Sequence, residues 1–218
     1  MTEPAFVTET RIAYDTVAEA YAEESRDHLD GSPWDRAMLS TFAELVGKAG
    51  PVGDLGCGPG RLTGYLAGLG LDVFGVDLSP GMVEVARRAY PSLPFSVGSM
   101  LALEPADGSV AGLVAYYSIV NIPRPELPRV FAEFARVLVP GGVLLMVFQV
   151  GDEVRHGTEW LGHPVDLHVY RNQPDVVAGL LAEAGLAVRM TTVRQPDGDG
   201  VEVGPRAYLL ARRLSGPA

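Results

Sequence analysis

Short apolar runs alternate with helix-like patterns along the first two thirds of the chain. Buried strands are predicted at residues 52–55, 73–76, 95–97, 110–120 and 143–150. Between them, apolar residues recur at helical spacing and predict helices at residues 35–46, 62–69, 80–90 and 123–138. Because strands and helices alternate, we expect parallel strands joined by right-handed crossovers, which is an α/β fold.

The last third of the chain follows a different pattern. Residues 151–171 contain histidines and acids without a clear period, so we expect a solvated lid there. A helix is predicted at residues 174–184, and two strands at 186–194 and 206–213 flank turn residues at 196–200. These last two strands should therefore be antiparallel to each other. No repeat or linker divides the 218 residues, which predicts a single domain, 1–218.

Composition and charge narrow the classes of function. The chain has 27 acidic and 17 basic residues and a net charge of −10, which argues against a nucleic-acid partner and against an anionic membrane surface. Its apolar stretches are too short to span a bilayer, and the first residues do not resemble a signal peptide. Cys57 is the single cysteine, so no internal disulfide forms. We expect a soluble cytoplasmic protein.

A glycine-rich segment, Gly53–Gly60, follows the first predicted strand and opens a helix. Gly56 and Gly58 fit the start of the dinucleotide fingerprint G-x-G-x-x-G, but its third position falls on Arg61. The pattern is instead G-x-G-x-G, preceded by Asp54. A carboxylate there would repel a pyrophosphate and suits a ligand with an ammonium group. The glycine pattern therefore argues against a nicotinamide-dependent oxidoreductase, which remains the less favoured hypothesis.

A second acidic residue, Asp77, ends the next predicted strand, seventeen residues after Gly60. A carboxylate at this place can accept hydrogen bonds from both hydroxyls of a ribose. Leu78 and Met82 follow it and are placed to flank an adenine ring. The two acids and the glycine loop together predict a site for an adenosyl ligand.

Three segments at these intervals resemble the class I S-adenosylmethionine-dependent methyltransferases, in particular members that act on small molecules. The segments are Asp54–Gly60, Val76–Ser79 and Arg136–Gly142, and the stretch from Tyr14 to Tyr21 is similar to the opening helix of many such members. The resemblance implies a Rossmann-like, doubly wound, seven-stranded sheet with helices on both faces. Its strands are mostly parallel, with the last strand antiparallel and inserted beside the sixth. It also implies an N-terminal helical lid, residues 1–34.

The resemblance further implies which residues contact S-adenosylmethionine and its product S-adenosylhomocysteine. The methionine part is expected to meet Tyr14, Tyr21, Asp54, Gly56, Cys57, Gly58 and Gly60. The nucleoside part is expected to meet Asp77, Leu78, Met82, Ser99 and Met100, with Ser99 standing where the family often has an acid. Tyr117 and Ser118 are expected to face the reacting sulfur.

Methyl transfer from a sulfonium is an in-line displacement with a neutral leaving group, so no acid is needed. A base matters only where the acceptor holds its proton. His163 and His168, in the acceptor-side insert 151–171, are the candidate catalytic residues because imidazole titrates near neutrality. The spacing His163-x-x-Asp166-x-His168 matches no standard zinc motif, so no metal site is predicted.

The acceptor is expected to be a small molecule with an oxygen, nitrogen or carbon nucleophile, because the insert is short and no domain is appended. The protein would act as a monomer or a homodimer. A non-catalytic adenosylmethionine-binding module would carry the same cofactor motifs, and turnover on an acceptor separates the two readings.

Overall fold

The computed structural model describes residues 3–196 and 204–215. The strands are β1 Val52–Leu55, β2 Val73–Asp77, β3 Phe95–Val97, β4 Val110–Tyr116, β5 Leu138–Gln149, β6 Val154–Trp160, β7 His163–Tyr170, β8 Leu186–Arg194 and β9 Arg206–Arg213. The helices are α1 Ala5–Glu24, α2 Pro33–Val46, α3 Arg61–Gly68, α4 Pro80–Ala89, α5 Leu127–Val137 and α6 Pro174–Glu183. Short 3-10 turns at Ile119–Asn121 and Arg124–Glu126 connect β4 to α5.

Seven strands form one sheet in the order β3-β2-β1-β4-β5-β9-β8. Strands β1 to β5 are mutually parallel, and β9 is antiparallel to both of its neighbours, β5 and β8. The predicted fold class and the insertion of the last strand beside the sixth are confirmed. Chain order reverses at β1, which lies between β2 and β4, and ligands of open α/β sheets bind beyond the carboxyl ends of strands at such a point.

Apolar side chains cover both faces of this sheet. On one face, α5 and α6 bury Phe131, Phe134 and Leu181, all at the helical spacing read from the sequence. On the other face, Phe42 of α2 and Leu66 of α3 pack against the sheet. These fully buried layers hold the strand ends, and the loops that follow them, in fixed positions.

Several element boundaries differ from those predicted. The strand predicted at 110–120 ends at Tyr116, because Tyr117 has a φ of 54° and turns the chain into a 3-10 turn. Helix α5 begins at Leu127 rather than at residue 123, and β5 already begins at Leu138. The predicted turn at 196–200 lies outside the described residues from 197 onwards. Among the described helices, none is long and apolar enough to cross a bilayer.

The segment 151–171 is the largest departure from the prediction, because it forms a two-stranded hairpin, β6–β7. Nearly all of β6 is exposed, and in β7 only Leu167 is fully buried. Strand β6 lacks the apolar alternation by which a half-buried strand is recognised, whereas β7 carries it at Val165, Leu167 and Val169, a signal that the sequence reasoning missed. Its two strands pair with each other and stand apart from the main sheet.

Candidate functional site

A cavity opens beyond the carboxyl ends of β1, β2 and β4, the edge at which open α/β sheets bind ligands. Its walls come from the glycine loop, α1, the segment after β3 and the turn after β4. The lining residues are Phe6, Val7, Thr10, Tyr14, Tyr21, Gly56, Gly58, Arg61, Val76, Asp77, Leu78, Ser79, Gly98, Ser99, Met100, Leu101, Tyr116, Tyr117, Ser118, Asn121 and Ile122. We call the glycine loop, residues 56–60, with the ends of β1 and β2 the floor of this cavity.

The glycine loop lies close to the turn that follows β4. A Cβ at Gly56, whose φ is 71°, would come within 2.4 Å of the Cβ of Ser118. Such a distance is too short for two carbon atoms, so a side chain at position 56 would push the loop and the β4 turn apart. The backbone N–H of Gly56 donates to the carbonyl of Val76 at 2.8 Å, which ties the loop to β2.

Asp77 joins the end of β2 to the glycine loop. Its Oδ2 accepts the Gly58 N–H at 2.8 Å, and its Oδ1 accepts the Ser79 N–H at 2.9 Å. Burial raises the pKa of Asp77 to about 6, and these backbone hydrogen bonds oppose that rise. A carboxylate offers about four lone-pair sites, so each oxygen retains one for a ligand hydroxyl.

Asp54 is buried beneath the loop on β1. Its Oδ2 accepts the Thr63 hydroxyl at 2.6 Å. Burial raises its pKa to about 7, and the hydrogen bond from Thr63 and the charge of Arg61 oppose that rise. Asp54 lines a side pocket of about 320 Å³ that shares Gly58 and Tyr21 with the main cavity. A ligand ammonium there would stabilise the carboxylate form.

Helix α1 crosses above the floor, and the carboxylate of Asp15 joins it to the start of α4. Asp15 Oδ1 accepts the Ser79 hydroxyl at 2.5 Å and the Gly81 N–H at 2.8 Å, at the start of α4. The Ser79 hydroxyl also accepts the Met82 N–H, so Ser79 is the N-cap of α4. The Met82 side chain is fully buried between α4 and α1, so the structure does not bring it to the cavity.

Aromatic side chains join α1 to the hairpin above the cavity. The rings of Tyr14 and Tyr21 each lie 5.2 Å from the ring of Trp160, in edge-on contacts. The Tyr14 hydroxyl donates to Asn121 Oδ1 at 2.9 Å, and Asn121 Nδ2 donates to the carbonyl of His168 at 2.8 Å. Helix α1 and the hairpin therefore form one roof, held by side chains.

The turn after β4 presents a strained residue and an unpartnered hydroxyl. Tyr117 adopts a left-handed backbone, an arrangement that costs a non-glycine residue about 1–3 kcal/mol and that clusters at functional sites. The Arg206 guanidinium lies 5.5 Å from the centre of its ring. The buried Ser118 Oγ has no hydrogen-bond partner among the described residues, and it lines the cavity. Both residues line the cavity, and their contact with the reacting sulfur stays a prediction.

Arg61 is a cavity residue that the sequence reasoning missed. It is the first residue of α3, directly after the loop, and it lines both the cavity and the side pocket. Its buried Nη1 has no hydrogen-bond partner among the described residues. A cation immediately after a glycine loop was the signal available in the sequence, where Arg61 was noted only as the residue that breaks the dinucleotide fingerprint.

Most predicted cofactor residues meet at this cavity, and a few do not. Cys57 and Gly60 belong to the glycine loop but do not line this cavity; Cys57 lines the side pocket with Asp54, and burial raises the pKa of its thiol well above the usual value. His163 lies exposed at the tip of the hairpin, and His168 stacks on His156. Neither His163 nor His168 lines the cavity, and their catalytic role stays a prediction.

Comparisons with known proteins agree with this geometry. Residues 52–142 match the family described as a methyltransferase domain. A demethylmenaquinone methyltransferase from Renibacterium salmoninarum is 32% identical over 113 residues, covering 52% of this chain and 46% of the relative. A trans-aconitate 2-methyltransferase from Delftia acidovorans is 35% identical over 130 residues, covering 51% of this chain and 47% of the relative. The chain therefore spans about half the length of these curated relatives.

A solved structure extends the likeness beyond the matched segment. It is the Burkholderia thailandensis 1,6-didemethyltoxoflavin-N1-methyltransferase, bound to 1,6-didemethyltoxoflavin and S-adenosylhomocysteine. The TM-score is 0.70 at 18% identity, covering 99% of this chain and 93% of that one. The resemblance read from the sequence is confirmed: residues 52–142 match a methyltransferase domain, the fold is that of S-adenosylmethionine-dependent methyltransferases, and S-adenosylmethionine is the cofactor of that class.

Proposed function

We propose that this chain, built around its methyltransferase domain, transfers a methyl group from S-adenosylmethionine to a small, largely apolar acceptor. One observation carries the proposal. The glycine loop is held between two buried acids, Asp54 and Asp77, and it opens into the cavity beside Arg61, whose buried Nη1 has no hydrogen-bond partner among the described residues. An adenosyl amino acid offers an ammonium group, a ribose diol and a carboxylate, which match these three side chains in charge and hydrogen-bonding type.

The lining residues fit this cofactor better than they fit a dinucleotide. Asp54 would hold the ammonium group, Arg61 the carboxylate and Asp77 the ribose hydroxyls. Leu78 and Met100 supply apolar surface for the adenine. A dinucleotide would bring a pyrophosphate, whereas Arg61 is the only cationic side chain on the cavity wall within the described part of the chain.

S-adenosylmethionine, when bound, supplies an electrophilic methyl group on a sulfonium. The residues of this chain then contribute positioning and the exclusion of water. Positioning alone supplies about 7–11 kcal/mol in favourable cases. Tyr14 and Tyr21, packed edge-on against Trp160, close the cavity from above with apolar surface. Tyr117 and Ser118 stand opposite, where a reacting pair would meet.

The acceptor end of the cavity is mainly apolar with few polar groups. Phe6 and Val7 come from the first turn of α1, and Ile122 follows the turn after β4. Thr10 and Asn121 supply the polar groups. Such a wall suits a small, flat or branched molecule with one or two polar substituents.

No histidine is found on the cavity wall among the described residues. An acceptor that ionises by itself near neutrality, such as an acidic phenol, an enol or a carboxylate, needs no base from the protein. The base role predicted for His163 or His168 requires the hairpin to move toward the acceptor, and it stays a prediction.

Calorimetry and a turnover assay test this function. We expect the purified chain to bind S-adenosylmethionine and S-adenosylhomocysteine and to show no comparable affinity for NAD. A panel of small phenols, enols, amines and carboxylates, screened for release of S-adenosylhomocysteine, should then yield an acceptor. Tighter binding of NAD would overturn the cofactor assignment. Binding without turnover on any acceptor would instead favour a non-catalytic adenosylmethionine-binding module.

A further inference from the structure

Two histidines and an aspartate meet on the outer face of the hairpin, away from the cavity. His156 of β6 pairs directly with His168 of β7 in the strand register, and Asp166 lies two residues before His168 on the same face. The imidazole rings stack with their centres 4.5 Å apart, and His156 Nε2 lies 2.7 Å from Asp166 Oδ1. We propose that His156, Asp166 and His168 form a binding site for a divalent transition-metal ion of the zinc type.

The three side chains offer ligand atoms at the spacing of a metal site. One nitrogen from each histidine and one oxygen from Asp166 all lie within 4.8 Å of one another. Two ligands that are each about 2.0–2.2 Å from zinc lie about 3.3 Å apart in a tetrahedral site. To reach that separation the side chains rotate out of the stacked arrangement, and the hydrogen bond between His156 and Asp166 opens to admit the ion.

The backbone beneath the cluster is fixed from its other side. The buried Leu167, between Asp166 and His168, points to the opposite face of the strand. Val165 and Trp160 pack against the α1–α4 contact, and the His168 carbonyl accepts a hydrogen bond from Asn121. Two of the three ligands therefore come from a strand that is already held in place.

The type of ligand selects the class of ion. Imidazole suits zinc, copper, nickel and iron, whereas magnesium and calcium prefer oxygen ligands. Three protein ligands on an exposed face leave the fourth position to water, as in sites that have an open coordination position. The linear spacing could not reveal this site, because His156 joins the other two residues only through the pairing of β6 with β7.

Titration calorimetry with Zn²⁺, and visible absorption with Co²⁺, test the site on untagged full-length protein. We expect one Zn²⁺ per chain and no comparable binding of Mg²⁺. H156A and H168A should each weaken binding by at least about 10–100-fold, the loss seen when even an outer-shell partner of a ligand is removed. H163A is the matched control, because this exposed histidine of the same hairpin lies outside the cluster, and it should bind Zn²⁺ like the wild type.

Hydrogen exchange locates the ion independently of the affinities. Zn²⁺ should slow exchange of the β6–β7 amides in the wild type and in H163A, and leave H156A unchanged. The proposal is overturned if wild-type protein does not bind Zn²⁺ or Co²⁺. It is equally overturned if H156A and H168A, shown to be folded by their melting temperatures, bind as the wild type does, or if protection appears elsewhere.

Discussion

The floor and the roof of the cavity are built in different ways. In the floor, backbone N–H groups of Gly56, Gly58 and Ser79 donate to a carbonyl or to a buried carboxylate. In the roof, aromatic contacts and the side chain of Asn121 join α1 to the hairpin, and the side chain of Asp15 joins α1 to α4. Hydrogen bonds to the backbone of a tight loop require particular residues at fixed positions along the chain, and these residues form a recognisable sequence motif. Contacts between side chains that are distant in sequence produce no such motif.

The largest effect is expected from Gly56→Ala in the floor. The new Cβ would lie 2.4 Å from the Ser118 Cβ, and the left-handed backbone adds strain. Overpacking costs about 1–3 kcal/mol and the left-handed conformation about 1–2 kcal/mol, so we expect about 2–5 kcal/mol lower unfolding free energy. S-adenosylhomocysteine binding should be lost. Urea unfolding and calorimetry measure the two effects.

Gly70→Ala is the matched control for this change. Gly70 has a φ of 87°, but a Cβ there meets nothing within 4 Å. The control variant therefore has the backbone strain without the steric clash. We expect it to lower the free energy of unfolding by about 1–2 kcal/mol and to leave ligand binding intact. Equal behaviour of the two variants would show that the approach of the loop to Ser118 is not required.

The next effect concerns the carboxylate that joins β2 to the loop. Asp77→Ala should weaken the binding of S-adenosylhomocysteine by about 1.5–3 kcal/mol, because hydrogen bonds to a charged group are lost. This corresponds to a dissociation constant roughly ten- to a hundred-fold higher. Asp72→Ala serves as the control, since this exposed acid precedes the opposite end of the same strand. If the Asp77 variant is folded and its dissociation constant is unchanged, Asp77 does not contact the ligand.

The pH dependence of binding separates the two acids of the floor. Burial raises the pKa of Asp54 to about 7 and that of Asp77 to about 6, so both are partly protonated in the free protein near pH 6. A cofactor with an ammonium group and a ribose diol favours both carboxylates. Its affinity should therefore rise between about pH 5 and pH 8, and Asp54→Asn should remove the upper part of that rise.

The raised pKa of Asp54 also affects the stability of the ligand-free protein, which should fall with rising pH, whereas the cofactor affinity should rise. Because the pKa of Asp54 is raised on folding, its contribution to stability is fully present below the unfolded pKa and is lost as pH rises through about 7. Asp54→Asn should thus raise the melting temperature of the ligand-free protein most at pH 8, less at pH 5, and change it little below about pH 4, the ordinary pKa of an aspartate. A variant less stable than wild type at pH 8 would contradict a raised pKa.

The contrast between floor and roof also explains which parts of the site could be predicted from the sequence. Asp54, Gly56 and Asp77 were identified because strand ends and tight turns require particular residues at fixed steps. Strand β6 was missed because it is largely exposed and carries no apolar alternation, whereas the alternation of Val165, Leu167 and Val169 in β7 was a signal available in the sequence. Met82 was misplaced because α1, which buries it, comes from a segment about 65 residues earlier whose docking no local pattern reveals.

A smaller effect is expected from the aromatic contacts of the roof. Trp160→Ala removes the edge-on contacts with Tyr14 and Tyr21, each worth about 0.5–1.5 kcal/mol. Hydrogen exchange of α1 should quicken, and S-adenosylhomocysteine should bind roughly three- to ten-fold more weakly. Trp34→Ala is the control, since that indole is 57% exposed and lies outside the cavity. Unchanged exchange in α1 would show that the hairpin does not hold it.

The smallest effect is expected at the exposed end of the roof. His163 pairs with Trp160 at the tip of the hairpin and does not reach the cavity wall, so His163→Asn should change the rate of methyl transfer by less than about tenfold on any acceptor found. A general base contributes about 10²–10⁴ in rate, and asparagine cannot take up a proton in this range. A loss of that size, with cofactor affinity preserved, would mean that the hairpin closes during turnover and brings the imidazole to the acceptor. The rate measured from pH 6 to pH 9 distinguishes the cases: a base leaves an ionisation in the wild-type profile that the variant lacks, whereas an acceptor that ionises by itself leaves the same profile in both.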